Sequence, residues 1–91
     1  MAVELTTPKL ATGVRLRHDQ VRDQHVLLFP EGALVLNETA VEVLTQVDGE
    51  RTLDDIAAVL SERYDGADVK DDVAELLGGI GERGLVVDAD G

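Results

Sequence analysis

The sequence predicts an α+β domain: a three-stranded antiparallel sheet followed by three helices, in a winged-helix-like arrangement. Three observations predict it. Between Val14 and Leu36, apolar residues come in short strand-like runs separated by turn residues. Between Asn37 and Tyr64, two apolar stripes of helical spacing flank Asp48-Gly49, each preceded by a capping residue. A third helical stripe follows and stops at Gly84.

In chain order, residues 1–8 lack periodicity and are expected as a loose tail, with the domain over 9–88. Val14 to His18 alternates with period two and predicts a strand half-buried through Val14 and Leu16. Asp19-Gln20 reads as a tight turn. Val21 to Phe29 reads as a second strand, and Pro30-Glu31-Gly32 as a turn, because Pro fixes its own φ and Gly permits the unusual one. Ala33-Leu34-Val35-Leu36 completes the sheet. Connections this short favour a meander with the second strand in the middle.

Asn37 is placed to cap a first helix carrying Ala40, Val43, Leu44 and Val47 on one face. Asp48-Gly49 ends it. Thr52, with Asp55 three residues on, forms a short-armed capping box for a second helix with Leu53, Ile56, Ala57, Leu60 and Tyr64 on one face. After the turn Asp65-Gly66-Ala67, Asp68 is the expected cap of a third helix bearing Val69, Val73, Leu76, Leu77 and Ile80. Gly78, Gly79 and Gly81 weaken that helix by about 1 kcal/mol each relative to Ala. The expectation is therefore frayed last turns or a close backbone approach. Leu85-Val86-Val87 reads as a short extended end.

Composition excludes much. Ninety-one residues make one small domain, and Phe29 and Tyr64 are its only aromatics, so the core is aliphatic. With no cysteine there are no disulfides, thiolate nucleophiles or Cys-type zinc sites. No apolar run approaches the ~20 residues of a membrane span. MAVELTTPK lacks the pattern of a signal peptide, so a cytoplasmic location is expected. The net charge of −11 is uneven: residues 1–30 carry +1 and the remainder −12. Such a surface repels phosphate backbones and anionic lipids. Its plain reading is a solvated face; the sharper one is a docking face for a basic partner.

Chemistry-bearing patterns are few. Gly79-Ile80-Gly81-Glu82-Arg83-Gly84 matches G-x-G-x-x-G, but it follows a helix instead of opening one, so its amides cannot cradle a pyrophosphate. His18 and His25 fall on adjacent strands without enough further ligands for a metal. Asp54-Asp55 and Asp71-Asp72 lie in first helical turns, where they complement the helix dipole. Ser61 has no His within reach for a triad. It also lacks the Asp-Ser-Leu context of an acyl carrier protein. A helix-turn-helix DNA reader is weighed against the third helix, whose Asp71, Asp72, Glu75 and Glu82 outnumber Lys70 and Arg83. No catalytic residue, metal or cofactor is expected.

The positive signal is the third strand. Arg15 and Arg17 blunt the first strand's edge, but Gly32 to Leu36 carries no charge. Natural sheets usually protect such an edge. Either it accepts an added strand, or the third helix or the C-terminal end covers it.

The ordered set Leu28-Phe29-Pro30-Glu31, Asn37-Glu38-Thr39-Ala40, Asp48-Gly49-Glu50-Arg51-Thr52, Ile56 to Leu60, Asp72-Val73 and Gly84-Leu85-Val86 resembles the PqqD family. Pro8-Lys9-Leu10 and Val14-Arg15-Leu16-Arg17 extend the similarity, which covers roughly Pro8 to Val87. The resemblance implies a non-catalytic peptide chaperone of pyrroloquinoline quinone (PQQ) biosynthesis. It would present the ribosomal precursor peptide PqqA to the radical S-adenosylmethionine enzyme PqqE. It further implies that the peptide lies as an extra strand along Ala33, Leu34, Val35 and Leu36, with apolar side chains on Val73, Leu76, Leu77 and Ile80 of the third helix. The enzyme binds a second, unassigned surface. A monomer is expected, with a dimer as the alternative. The competing readings are a helix-turn-helix regulator and a recognition domain of another modified-peptide pathway.

Overall fold

Two sheets, not one, frame the helices. The computed structural model describes residues 5–89. Strand β1 (Pro8–Leu10) pairs antiparallel with β5 (Val86–Asp88), while β2 (Arg15–Asp19), β3 (Gln24–Phe29) and β4 (Gly32–Leu36) form a meander in the order β2-β3-β4. Between β4 and β5 run α1 (Glu38–Thr45), α2 (Leu53–Arg63) and α3 (Lys70–Glu82). The three-stranded sheet and three helices are those the sequence predicts.

The N-terminal segment corrects the expected tail. Residues 1–4 lie outside the described residues, but Leu5, Thr7 and Pro8 are buried. The Asp88 carboxylate accepts hydrogen bonds from the Thr6 and Thr7 amides, both at 3.2 Å. The Thr6 carbonyl accepts from Leu53 N–H at 2.8 Å, and the Pro8 carbonyl from Gly49 N–H at 3.2 Å. The segment therefore ties β5 to the start of α2. Three-residue strands show no periodicity, so nothing local announces this pairing.

The first hairpin is also redrawn. Its loop is Gln20 to Asp23, not Asp19-Gln20, and β3 begins at Gln24. Asp19 Oδ1 accepts from the amides of Val21 (3.1 Å) and Arg22 (3.4 Å), and Asp23 takes φ +51°. Val21, expected in a strand, is 95% exposed at the loop tip. An Asp that bonds the backbone ahead of it outcompetes strand propensity here.

Helix starts follow the expected chemistry with one exception. Asn37 Oδ1 accepts from Ala40 N–H at 2.8 Å. Thr52 and Asp55 form the reciprocal box, at 3.1 and 3.0 Å. The exception is α3: its N-cap is Val69, without a side-chain cap, and Asp68 stands one residue earlier, accepting from Lys70 N–H at 3.2 Å. Helix α3 runs to Glu82 through its glycines and ends where Gly84 takes φ +76°.

Between α1 and α2, Gly49 takes φ +80°, a conformation glycine adopts without steric cost. Beside it the Asp48 carboxylate accepts from the amides of Arg51 (2.8 Å) and Glu50 (2.9 Å). These bonds, Arg51 first, hold the Asp48 carboxyl below its usual 3.8. A folded value lower than the unfolded one contributes stability that is complete above the unfolded value and lost as pH falls through the folded one. A carboxyl-detected NMR titration is expected to give Asp48 a midpoint below 3.8; a midpoint at or above it would refute the turn geometry.

The core lies where α1, α2 and α3 meet the inner face of the three-stranded sheet and β5. Leu27, Leu44, Ile56, Leu77, Val43 and Val86 are fully buried at its centre, with Leu16, Leu34 and Leu36 packed against it. Among the described residues, no helix is long and apolar enough to cross a membrane.

Candidate functional site

The site begins with the register of the β3–β4 hairpin. Pro30-Glu31 is a two-residue loop, so Phe29↔Gly32 is the closing pair and exchanges both backbone hydrogen bonds. Directly opposed residues alternate between bonded and unbonded pairs. Leu27↔Leu34 and His25↔Leu36 are therefore bonded, and Leu28↔Ala33 and Val26↔Val35 are not. It follows that Ala33 and Val35 aim their N–H and C=O groups away from β3. Strand β4 is the last in its sheet, and β5 pairs with β1 instead, so no described strand pairs with this edge.

Beside that edge lies an apolar cleft of about 470 Å³. Asn37, the residue directly after β4, lines it, so the strand leads to the cleft's mouth although no β4 residue lines it. Its apolar lining comes from Val43 of α1, Leu60 of α2, and Val69, Val73 and Leu76 at and within α3. Polar residues join them: Glu42, Tyr64 and Asp72. Tyr64 donates its hydroxyl to Glu42 Oε2 at 2.6 Å, and that bond to a carboxylate raises the phenol above its usual 10.

The expected site residues divide into two groups. Ala33 and Val35 are exposed, Leu34 and Leu36 half-buried, and all four lie on the edge strand. Leu76 is half-buried, Val73 is 3% exposed, and both line the cleft. Leu77, at 0%, and Ile80, at 5%, do not line it. They belong to the core, because the α3 stripe is wider than the strip facing the cleft. Val43, Leu60, Val69, Glu42, Tyr64 and Asp72 were not among the expected site residues. Helical periodicity marks Leu60 and Val43 as apolar but cannot separate a cleft floor from a core.

The other motifs fall elsewhere. His18 and His25 stack across the first hairpin with ring centroids 4.5 Å apart, and His18 Nε2 lies 3.0 Å from Asp23 Oδ1. No group of three His, Asp or Glu among the described residues is arranged to hold a metal. Gly79 and Gly81 are inside α3, and Gly84 is past its end, so the glycine motif opens no helix. Asp54, Asp55, Asp71 and Asp72 occupy first turns.

Fold and site together define a class: a small winged-helix-like α+β domain with an unpaired strand edge opening beside an apolar cleft. Comparison narrows the class. The family model "Coenzyme PQQ synthesis protein D (PqqD)" matches residues 24–86, and the chain belongs to the PqqD family. Two solved structures share the fold. One is the solution NMR structure of the PqqD truncation of Methylobacterium extorquens PqqCD, which represents a functional, stand-alone recognition element for ribosomally synthesized and post-translationally modified peptides. It is 40% identical, with a TM-score of 0.74 over 88% of this chain and 87% of that one. The other is the crystal structure of PqqD from Xanthomonas campestris, 38% identical, with a TM-score of 0.57 over 84% and 87%. Among curated relatives, the PqqA binding protein of Stutzerimonas stutzeri is 47% identical over 55% of each chain. The bifunctional coenzyme PQQ synthesis protein C/D of Methylorubrum extorquens is 56% identical over 50% of this chain and 12% of its own length. The matches thus span about half the length of the PqqA binding proteins and a small part of the bifunctional one.

Proposed function

We infer that the chain is a non-catalytic peptide chaperone: it binds the precursor peptide PqqA and presents it to the radical S-adenosylmethionine enzyme PqqE in PQQ biosynthesis. The observation that carries this reading is the outward-facing Ala33 and Val35 backbone on the edge strand that leads into Asn37, a lining residue of the apolar cleft. Relatives named for PqqA binding support the choice of peptide. A peptide added to β4 gains a hydrogen-bond ladder from Ala33 and Val35. Its alternate side chains reach Val69, Val73 and Leu76, which Leu77 and Ile80 support from behind. Glu42 and Asp72 beside the apolar floor favour a peptide with a basic residue next to its apolar anchor. Holding the peptide on a scaffold that also touches the enzyme raises its effective concentration at the active site. The covalent chemistry stays with the enzyme. The domain, with Leu5 to Pro8 as part of its fold, needs no cofactor for this role, acts as a monomer, and works in the cytoplasm.

Amide hydrogen exchange tests the reading. Adding PqqA is expected to protect Ala33 and Val35 and to leave β2 unchanged. Protection confined to β2 near Arg15 and Arg17 would move the peptide to the opposite edge and overturn the site. Binding of another pathway's leader in preference to PqqA would keep the site and overturn the pathway. The acidic surface of α3 predicts no retention on duplex DNA at low ionic strength; salt-sensitive binding at micromolar protein would favour a helix-turn-helix regulator.

A further inference from the structure

The three-stranded sheet has two faces, and the core uses one. Register places Leu16, Leu27 and Leu34 in a row across the inner face, with Leu27 fully buried. On the outer face the rows are Arg15, Leu28, Ala33 and Arg17, Val26, Val35. Val26 and Leu28 are half-buried but stand outside the core cluster, and Val35 is 60% exposed. Val26 and Leu28 line a shallow concavity of about 610 Å³ together with Arg17, His18, Asp19 and Gln20. An antiparallel strand with one solvated face ordinarily carries polar residues there. Here the central and edge strands carry apolar ones instead.

The arginines give this apolar face a sign. Arg15 and Arg17 are exposed, and no salt bridge among the described residues involves either. They lie in residues 1–30, which carry a net charge of +1, whereas the remainder carries −12. Arginine beside a small apolar patch is the composition of a protein–protein contact. Charge decides the occupant. A second copy docked face to face with its two-fold axis at the centre of this patch would set Arg15 and Arg17 near their own equivalents. Nucleic acid would meet only two arginines, with Asp19 in the same row of β2, on a chain of net charge −11. A peptide strand needs open backbone groups, which the face of a sheet does not offer and the β4 edge does.

We propose that the outer face of the sheet, centred on Arg17, Val26 and Leu28 with Arg15 beside them, docks a folded protein that presents carboxylates around an apolar spot. This rests on the chaperone reading, in which that protein is the enzyme receiving the peptide. Edge and face are different sides of β4: the backbone of Val35 serves the first and its side chain the second. Peptide and enzyme can then be held at once, with the peptide along the rim of the enzyme contact.

The test uses the full chain, purified PqqE and PqqA. Binding of the chain to each is measured for the wild type, Arg15→Glu/Arg17→Glu and Arg15→Gln/Arg17→Gln. Both variants are expected to keep their PqqA affinity, which also reports an intact fold. The Glu variant should bind PqqE at least about tenfold more weakly, and the Gln variant should lose part of the salt dependence seen with the wild type. If the wild type binds PqqE and both variants bind it equally well, the face is not the docking surface and the chaperone reading survives. If the wild type binds PqqA but not PqqE, the delivery reading falls and this proposal with it.

Discussion

Leu77→Ala is expected to lower the unfolding free energy by about 2–5 kcal/mol. Leu77 is fully buried, on the α3 face that packs into the core with Leu27, Leu44 and Ile56. Removing most of the side chain loses its transfer free energy and leaves a cavity that neighbouring helices close only in part. In a domain this small, that is a large share of the total. Leu76, one position earlier, is half-buried and lines the cleft. Leu76→Ala should therefore change stability far less and weaken peptide binding instead. Denaturant unfolding and a peptide titration on both variants check the pair. Unchanged stability in Leu77→Ala together with lost peptide affinity would show that Leu77 touches the peptide and that the helix is rotated from the position described.

The second large effect is in the backbone. Val35→Pro deletes an N–H that points away from β3, so the internal ladder keeps every bond, while an added peptide strand loses a donor and meets the proline ring. Peptide affinity should fall by about tenfold or more, and stability should change little. Leu34→Pro is the control. Its N–H bonds to β3 in the Leu27↔Leu34 pair, so its loss should destabilise the domain itself, by clearly more than the Val35 change does. The two variants can be compared by thermal melting and by titration with PqqA. If Val35→Pro unfolds the domain while Leu34→Pro spares it, the register is shifted by one residue.

The order of the meander, its second hairpin and the starts of α1 and α2 are legible because their signals are local: period-two runs, Pro30-Glu31, and the pairs Asn37/Ala40 and Thr52/Asp55. The charge-free edge strand was legible too, since an unprotected row of apolar residues is itself unusual. Which edge amides face outward was not, because that depends on the closing pair Phe29↔Gly32 and therefore on the loop being two residues long. Asp68 and Val69 show the same limit at a helix start, where a one-residue shift costs the sequence pattern nothing but moves the cap. Leu77 and Ile80 show it for the site. Both belong to the α3 stripe with Val73 and Leu76, and only the placement of α1 and α2 decides which of the four see the cleft. Pairing of β1 with β5 joins the two ends of the described chain and leaves no local trace.

That pairing also fixes how the domain bears load. Pro8 lies opposite Asp88 and Leu10 opposite Val86, so the chain enters β1 and leaves β5 at the same end of the ladder. Tension applied through both ends acts along the hydrogen bonds, perpendicular to the strands. It loads the bonds one after another, from the outer contacts of Thr6 and Thr7 with Asp88 and Ala89 inward to Leu10 and Val86, instead of breaking them together. A molecule tethered at both ends opens first at this seam, while the β2–β4 meander, outside the line of force, still carries its ladder.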